Sequence, residues 1–261
     1  MQKVLLCGVP YDAKSSFLRG AAMAPAYIRA TLHNGSSNYF AENGVDILSE
    51  KRWEDAGDLR IGDYFDIHPQ IQTLLQANQS LLTLGGDHSI SYPVVQAHAA
   101  IFGKFDILHI DAHTDLYEEY EGDRYSHACP FARIMEEQLA ARLVQVGIRT
   151  LTHQQRRQAE RYGVEIIPMQ ALHRLKELTF ERPLYISIDL DGFDPAFAPG
   201  VSHHEPGGLS PRAIINFLYQ LKVPIIGADI VEYNPTRDVS NITAALAAKL
   251  IKELSGIILQ A

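Results

Sequence analysis

Short apolar runs, many of them β-branched, recur along the chain at 4–9, 80–84, 106–110, 143–148, 164–168, 184–189 and 225–231. Runs this short and this uniformly apolar fit strands buried on both faces. Between them lie stretches of helical character at 25–32, 68–78, 92–100, 129–141, 152–162, 211–221 and 241–254. The last opens on Asn241, a good helix start, and continues as an Ala/Leu-rich amphipathic run. Strands alternating with helices predict a largely parallel sheet with helices on both faces. The stretch 33–66 holds Gly35, Gly44, Gly57, Gly62 and the single tryptophan, Trp53. It reads as a long loop that covers the sheet edge or meets another subunit.

Ligands of such sheets gather beyond the carboxyl ends of the strands. Four of the apolar runs end in residues with metal or acid–base chemistry: Gly85-Gly86-Asp87-His88, Asp111-Ala112-His113-Thr114-Asp115, Asp189-Leu190-Asp191 and Glu232. In LHIDAHTD (108–115), Asp111, His113 and Asp115 alternate, which in extended backbone turns all three to one side. Without a counter-charge such a cluster suffers mutual repulsion and desolvation. In ISIDLDGFDP (186–195), Asp189 and Asp191 alternate, Gly192 and Pro195 enforce a turn, and Asp194 reads as a turn cap. In GGDHS (85–89) the two glycines allow a sharp turn. His88 then enters the cleft as a neutral ligand, with Asp87 as local turn chemistry or a supporting partner.

His88, Asp111, His113, Asp115, Asp189 and Asp191 form one candidate metal set. Its four carboxylates carry about four negative charges at neutral pH, which two divalent cations cancel. If Asp111 and Asp189 bridge, six side chains give each metal four protein contacts. A carboxylate-rich, thiolate-free set suits manganese, while the imidazoles also admit zinc, nickel or iron. A two-metal site shares a water and brings its pKa toward neutrality.

Composition narrows the partners. The 261 residues are 46% hydrophobic and 21% charged, ample for a buried core, and read as one domain spanning 1–261. A net charge of -8 argues against nucleic acid, which needs a basic face. No stretch approaches the ~20 apolar residues of a spanning helix, so no membrane partner is expected. The opening MQKVLLCGVP reads as a first strand rather than a signal peptide. Cys7 and Cys129 lack zinc or redox spacing and read as free thiols in a reducing, cytoplasmic setting.

GGDHS, DAHTD, SIDLDGFDP and DIVEYNP (229–235) stand in one order, preceded by GVPYD (8–12) and RGAAMAPAYIR (19–29). In these motifs the chain resembles the ureohydrolases, the family of arginases, agmatinases and their relatives, over nearly its whole length. The resemblance implies a three-layer α/β/α sandwich around a mainly parallel sheet of about eight strands, assembled as trimers or hexamers. It implies two manganese ions with a hydroxide between them. His88, Asp111, Asp115 and Asp189 would hold one, and Asp111, His113, Asp189 and Asp191 the other. The catalytic set it implies is Asp115, Glu232 as the acid that receives the guanidinium, and His127 as the proton shuttle to the departing amine.

The expected reaction is hydrolysis of a small guanidino substrate to urea and an amine. Arginases carry Asn where this chain has Tyr117, and an Asp soon after the strand end where it has Thr150, Leu151 and Thr152. HACPFARIMEEQ (127–138) and VQVGIR (144–149) are similar to agmatinases, so agmatine is the expected substrate, with guanidinobutyrate, arginine or formiminoglutamate as alternatives. The stretch 198–210 departs from the family, with His203 and His204 in place of small residues. Either a pocket wall or ligand has changed there, or the stretch is a surface loop. The acidic loop 117–126 reads as an attractor for a cationic tail or as a solvated lid. The rival functions are a catalytically silent relative that binds metal or polyamine, and another two-metal hydrolase acting on amides or phosphate esters.

Overall fold

The computed structural model describes residues 2–260, so the two terminal residues of the expected 1–261 domain lie outside it. Eight strands form one sheet: β1 (Lys3–Gly8), β2 (Trp53–Asp58), β3 (Gln79–Leu84), β4 (Asp106–Ile110), β5 (Arg142–Ile148), β6 (Glu165–Pro168), β7 (Leu184–Asp189) and β8 (Ile225–Val231). Their order is β2-β1-β3-β8-β7-β4-β5-β6, and every pairing is parallel. The helices are α1 (Ala24–Leu32), α2 (Ile67–Leu74), α3 (Ser91–Phe102), α4 (Pro130–Glu136), α5 (His153–Tyr162), α6 (Pro211–Leu218) and α7 (Ile242–Gln260). One apolar layer packs α1, α6 and α7 against the sheet and a second packs α2 to α5 against its other face. The three-layer sandwich expected from the sequence is the fold observed.

The apolar runs at 106–110, 184–189 and 225–231 are strands over those residues, and the others shift by one residue. Besides the helix expected at 211–221, which ends at Leu218, and that at 241–254, which runs on to Gln260, three expectations need correction. The stretch 33–66 is not all loop: its Trp53–Asp58 segment is edge strand β2, paired only with β1. Its residues alternate between half-buried and exposed, and WEDAGD lacks the apolar signature of an inner strand. The helix expected at 68–78 stops at Leu74, because Leu75 is extended and leads into β3. The helix expected at 129–141 stops at Glu136.

Part of the same stretch, around 37–53, is tied to α7, while Tyr64 packs into the layer of α2 to α5 on the other face. Trp53 Nε1 donates to Ser255 Oγ at 3.1 Å, and the Glu42 amide donates to Glu253 Oε2 at 3.0 Å. Glu253 is fully buried and also accepts from Tyr219 and Lys249. No helix among the described residues is long and apolar enough to cross a membrane. Glu253→Ala leaves these donors without an acceptor, and we expect a loss of about 2–3 kcal/mol in urea-unfolding stability. A loss within about 0.5 kcal/mol, the ordinary range of a surface change, would show that the clamp is idle.

Candidate metal centre

The four strands that end in candidate ligands, β3, β8, β7 and β4, are neighbours at the middle of the sheet. At about 4.8 Å between strands their carboxyl ends span roughly 14 Å, so side chains from all four meet. His88 follows β3, Asp111, His113 and Asp115 follow β4, Asp189 ends β7 with Asp191 beyond it, and Glu232 follows β8.

The convergence is not made by extended alternation. The chain leaves β4 and β7 in matching turns. Asp111 Oδ1 accepts from the His113 amide at 2.7 Å, and Asp189 Oδ1 accepts from the Asp191 amide at 2.7 Å. Each aspartate thus spends one oxygen folding its successor back toward the site. The glycines nearby serve close approach rather than sharp turning. A Cβ on Gly86 would lie 1.9 Å from the Tyr11 carbonyl oxygen, and one on Gly192 would lie 2.9 Å from Asp111 Cα. Asp115 and Glu232 take positive φ, 47° and 62°, which is costly for a side-chain-bearing residue and marks both as held by their surroundings.

Ligand atoms of His88, Asp111, Asp115 and Asp189 lie within 4.8 Å of one another, and so do those of Asp111, His113 and Asp191. Asp111 belongs to both groups and sits between them. Asp189 joins only the first. His88 Nδ1 is buried without a hydrogen-bond partner, 3.0 Å from Asp189 Oδ2, 3.1 Å from Asp115 Oδ2 and 3.3 Å from Asp111 Oδ2. His113 Nδ1 lies 3.2 Å from Asp191 Oδ2 and 3.5 Å from Asp111 Oδ1. An orphaned imidazole nitrogen facing three acceptor-only oxygens is a donor set for a cation, and the residues present fit a divalent pair.

The charge state agrees. Burial, then the neighbouring Asp191 and Asp111, push Asp189 well above the ordinary carboxyl range. Burial raises Asp191 to about 7, with His113 opposing and Asp111 adding to the rise. Two carboxyls that resist ionisation within one cluster are what cations relieve.

Beside this cluster His127 and Glu232 pair directly. His127 Nδ1 lies 2.9 Å from Glu232 Oε1 and Nε2 lies 2.8 Å from Ser16 Oγ, while the His88 amide donates to the same Glu232 oxygen at 2.8 Å. Burial opposes the charge on His127, but the Glu232 carboxylate outweighs it and lifts the imidazole to about 9. Asp87 acts as local support: it caps Ser89 and accepts from the Lys14 amide at 3.0 Å. Asp194 caps its turn through the Ala196 amide and also ties down Gly207 and Gly208.

A cavity of about 270 Å³ opens over the cluster. Its wall includes Tyr117 and Tyr120, whereas Glu118, Glu119 and Glu121 of the same acidic loop lie outside it. Asp123 of that loop pairs with Lys14 at 2.7 Å. His203 is cavity wall, its ring 5.5 Å from that of His127, and it falls outside both ligand groups. His204 is surface loop, bonded to the Pro199 carbonyl. Sequence reasoning missed Ser16 and Glu205 in loops and Gln155 on α5, all on the wall, since isolated polar residues carry no pattern of their own. It also missed His109, whose Nε2 lies 2.7 Å from Asp111 Oδ2 and whose Nδ1 lies 2.9 Å from the Gln145 amide nitrogen. His109 stands two residues before Asp111 on β4, a spacing that could have flagged it.

The family model for the arginase family matches residues 2–256. The chain belongs to the arginase family. It is 45% identical over 271 residues to "Arginase 1, mitochondrial" of Arabidopsis thaliana, covering 96% of this chain and 79% of that protein. It is 36% identical over 249 residues to an N(1)-aminopropylagmatine ureohydrolase of Thermus thermophilus, covering 89% and 83%. The solved arginase from Medicago truncatula superposes with a TM-score of 0.93 at 43% identity, covering 98% of this chain and 87% of that one. Arginase-family enzymes act on small molecules at a binuclear metal centre, and the cluster described above stands where this fold collects its ligands.

In the metal-free protein His127 should titrate by NMR near pH 9, charged below that value and neutral above it. Glu232→Gln removes the carboxylate that does most to sustain the charge and leaves burial opposed only by the more weakly acting Asp87 and Asp115, so the midpoint should fall. An unmoved midpoint would mean that another group charges the imidazole.

Proposed function

We propose that the chain hydrolyses the guanidino group of agmatine, releasing urea and putrescine, with a pair of manganese ions held by His88, Asp111, Asp115, Asp189, His113 and Asp191. The observation that carries this reading is the cavity over the cluster. Its wall holds Glu232 and Glu205 but no lysine or arginine. Such a pocket favours a substrate that is cationic at both ends. When bound, the metal pair supplies charge and a water acidic enough to act as nucleophile near neutral pH.

The chain's own residues do the rest. Glu232 offers a buried carboxylate to the planar guanidinium. His127, held in the protonated state by Glu232 and oriented by Ser16, donates a proton to the departing amine nitrogen. Tyr117 and Tyr120, with rings 5.2 Å apart, pack on the methylene chain. Glu205, half-exposed on the wall with Oε1 3.9 Å from His113 Nε2, is the acid we assign to the distal ammonium. A phosphate ester finds no lysine or arginine on this wall. The Arg149 guanidinium is spent on the carbonyls of Glu205, Asp191 and Gly192.

Arginine is the second reading, favoured by the 45% identity to a protein named an arginase. Its carboxylate would meet hydroxyl and amide donors such as Ser16, Thr150, Thr152 and Gln155, but no lysine or arginine.

Urea release by manganese-loaded protein should be compared on agmatine, arginine, guanidinobutyrate and guanidinopropionate, with ammonia or formamide followed for formiminoglutamate. We expect kcat/KM for agmatine to exceed that for guanidinobutyrate at least about tenfold, the effect of exchanging an ammonium for a carboxylate beside Glu205. A preference for arginine would replace the first reading by the second, and no product from any compound would end both. Asp111→Ala should abolish urea release and reduce bound metal, since both ligand groups share it. Glu205→Gln should lower kcat/KM for agmatine about fivefold, the size of a half-exposed ion pair. It should leave butylguanidine, which lacks the ammonium, unchanged; an equal loss on both would remove Glu205 from the tail site.

A further inference from the structure

Beneath the cluster lies a carboxylate that neither ligand group includes. Asp229 is fully buried on β8, and its register partner on β7 is Ser187. Among the described residues its side-chain hydrogen-bond partners are two hydroxyls: Ser187 Oγ at 2.6 Å on Oδ1 and Tyr185 OH at 2.6 Å on Oδ2. Ser187 Oγ in turn lies 2.9 Å from Nε2 of His88. Tyr185, Ser187 and His88 are also fully buried, so no water competes for these contacts. A carboxylate placed there with no cationic partner is costly, and packing alone would be served by an apolar residue.

We infer that Asp229 is a positioning residue that fixes the imidazole of His88 in its metal-binding tautomer by way of Ser187. The hydrogen-bond directions follow from the chemistry of the groups. An ionised carboxylate only accepts, so both hydroxyls donate to it. Ser187 has one hydroxyl hydrogen and spends it on Asp229. Toward His88 its oxygen can therefore only accept, which requires the hydrogen of a neutral imidazole to sit on Nε2. Nδ1 is then a bare lone pair. That atom is the one left without a partner, pointing among the oxygens of Asp189, Asp115 and Asp111. The opposite tautomer would put a hydrogen where the metal must bind. Partners that orient a ligating histidine from behind typically contribute about 10–100-fold in metal affinity. The contact is built into the sheet: Ser187 and Asp229 face each other across adjacent strands, so the direction of the imidazole is set before any metal arrives.

The inference rests on the reading of His88 as a metal ligand. Its test is a set of manganese-binding isotherms on the intact chain, measured by calorimetry and by the paramagnetic resonance of free Mn2+. Circular dichroism and melting of the metal-free variants would verify the fold. Asp229→Asn presents an amide that can donate to Ser187, freeing the serine hydrogen to face His88. Ser187→Ala removes the intermediary with little change in volume. Each should weaken the binding of one manganese about 10–100-fold and leave the other within about threefold. The double variant should be no weaker than the worse single variant, because both act through one contact. Tyr185→Phe touches Asp229 but not His88, and should stay within about threefold of the parent. If Asp229→Asn fails to fold, Ser187→Ala against the parent decides. Unchanged affinity in both single variants, or losses that multiply in the double variant, would overturn the relay while the metal reading stands. A parent chain that binds no manganese would overturn both.

Discussion

The structure depends on a repulsion. Asp111, Asp115, Asp189 and Asp191 are all buried and meet at the carboxyl ends of adjacent strands, where their charges cannot be tolerated together. Within the protein the strain is visible in Asp189 and Asp191, whose burial and proximity push them toward protonation, and in His88 Nδ1, buried without a partner. Divalent charge would relieve this repulsion, which would couple binding to folding at this point. The sheet bears the cost because its core is long, parallel and covered on both faces.

That constraint explains which parts of the molecule were legible in the sequence. Inner strands must be apolar on both sides, so β4, β7 and β8 announce themselves, and the polar residues that follow them are conspicuous. The six candidate ligand positions stand out in the sequence because they interrupt that pattern. Edge strand β2 could not, since one side of it faces solvent and its residues are Trp, Glu, Asp, Ala and Gly. The mode of convergence was misread for a related reason. Alternation suggests an extended chain, but an aspartate at a strand end can accept the amide two residues on, and at Asp111 and Asp189 this folding wins. The pairing of His127 with Glu232 joins residues 105 apart in the chain and leaves no local trace.

The two ends of the cavity obey different rules. The reactive end is built from residues at or just past strand ends, with hydrogen bonds from beneath, such as Gln145 to His109 and His109 to Asp111. Each of these groups is fully buried and has little freedom to move. The tail end is built from loops: Ser16, Tyr117, Tyr120, Thr150, His203 and Glu205 come from four separate connections. Loops vary without disturbing the sheet. Relatives named for arginine and for an agmatine derivative can therefore share this fold and motif order.

Arg149 shows how the two ends stay in register. Its guanidinium donates to the Asp191 and Gly192 carbonyls, in the turn that carries a ligand, and to the Glu205 carbonyl, on the cavity wall. One planar cation with several fixed donors thereby sets the wall at a defined distance from the cluster. A lysine could satisfy at most part of that set and would leave the loop freer to drift. The chemistry of a guanidino substrate demands such a fixed span, because the carbon under attack must lie against the cluster while the tail is held. The charge of Arg149 is turned away from the cavity by these contacts, so rigidity is obtained without adding a positive charge to the wall. The proposed cationic substrate needs both properties, and this side chain supplies the first without spoiling the second.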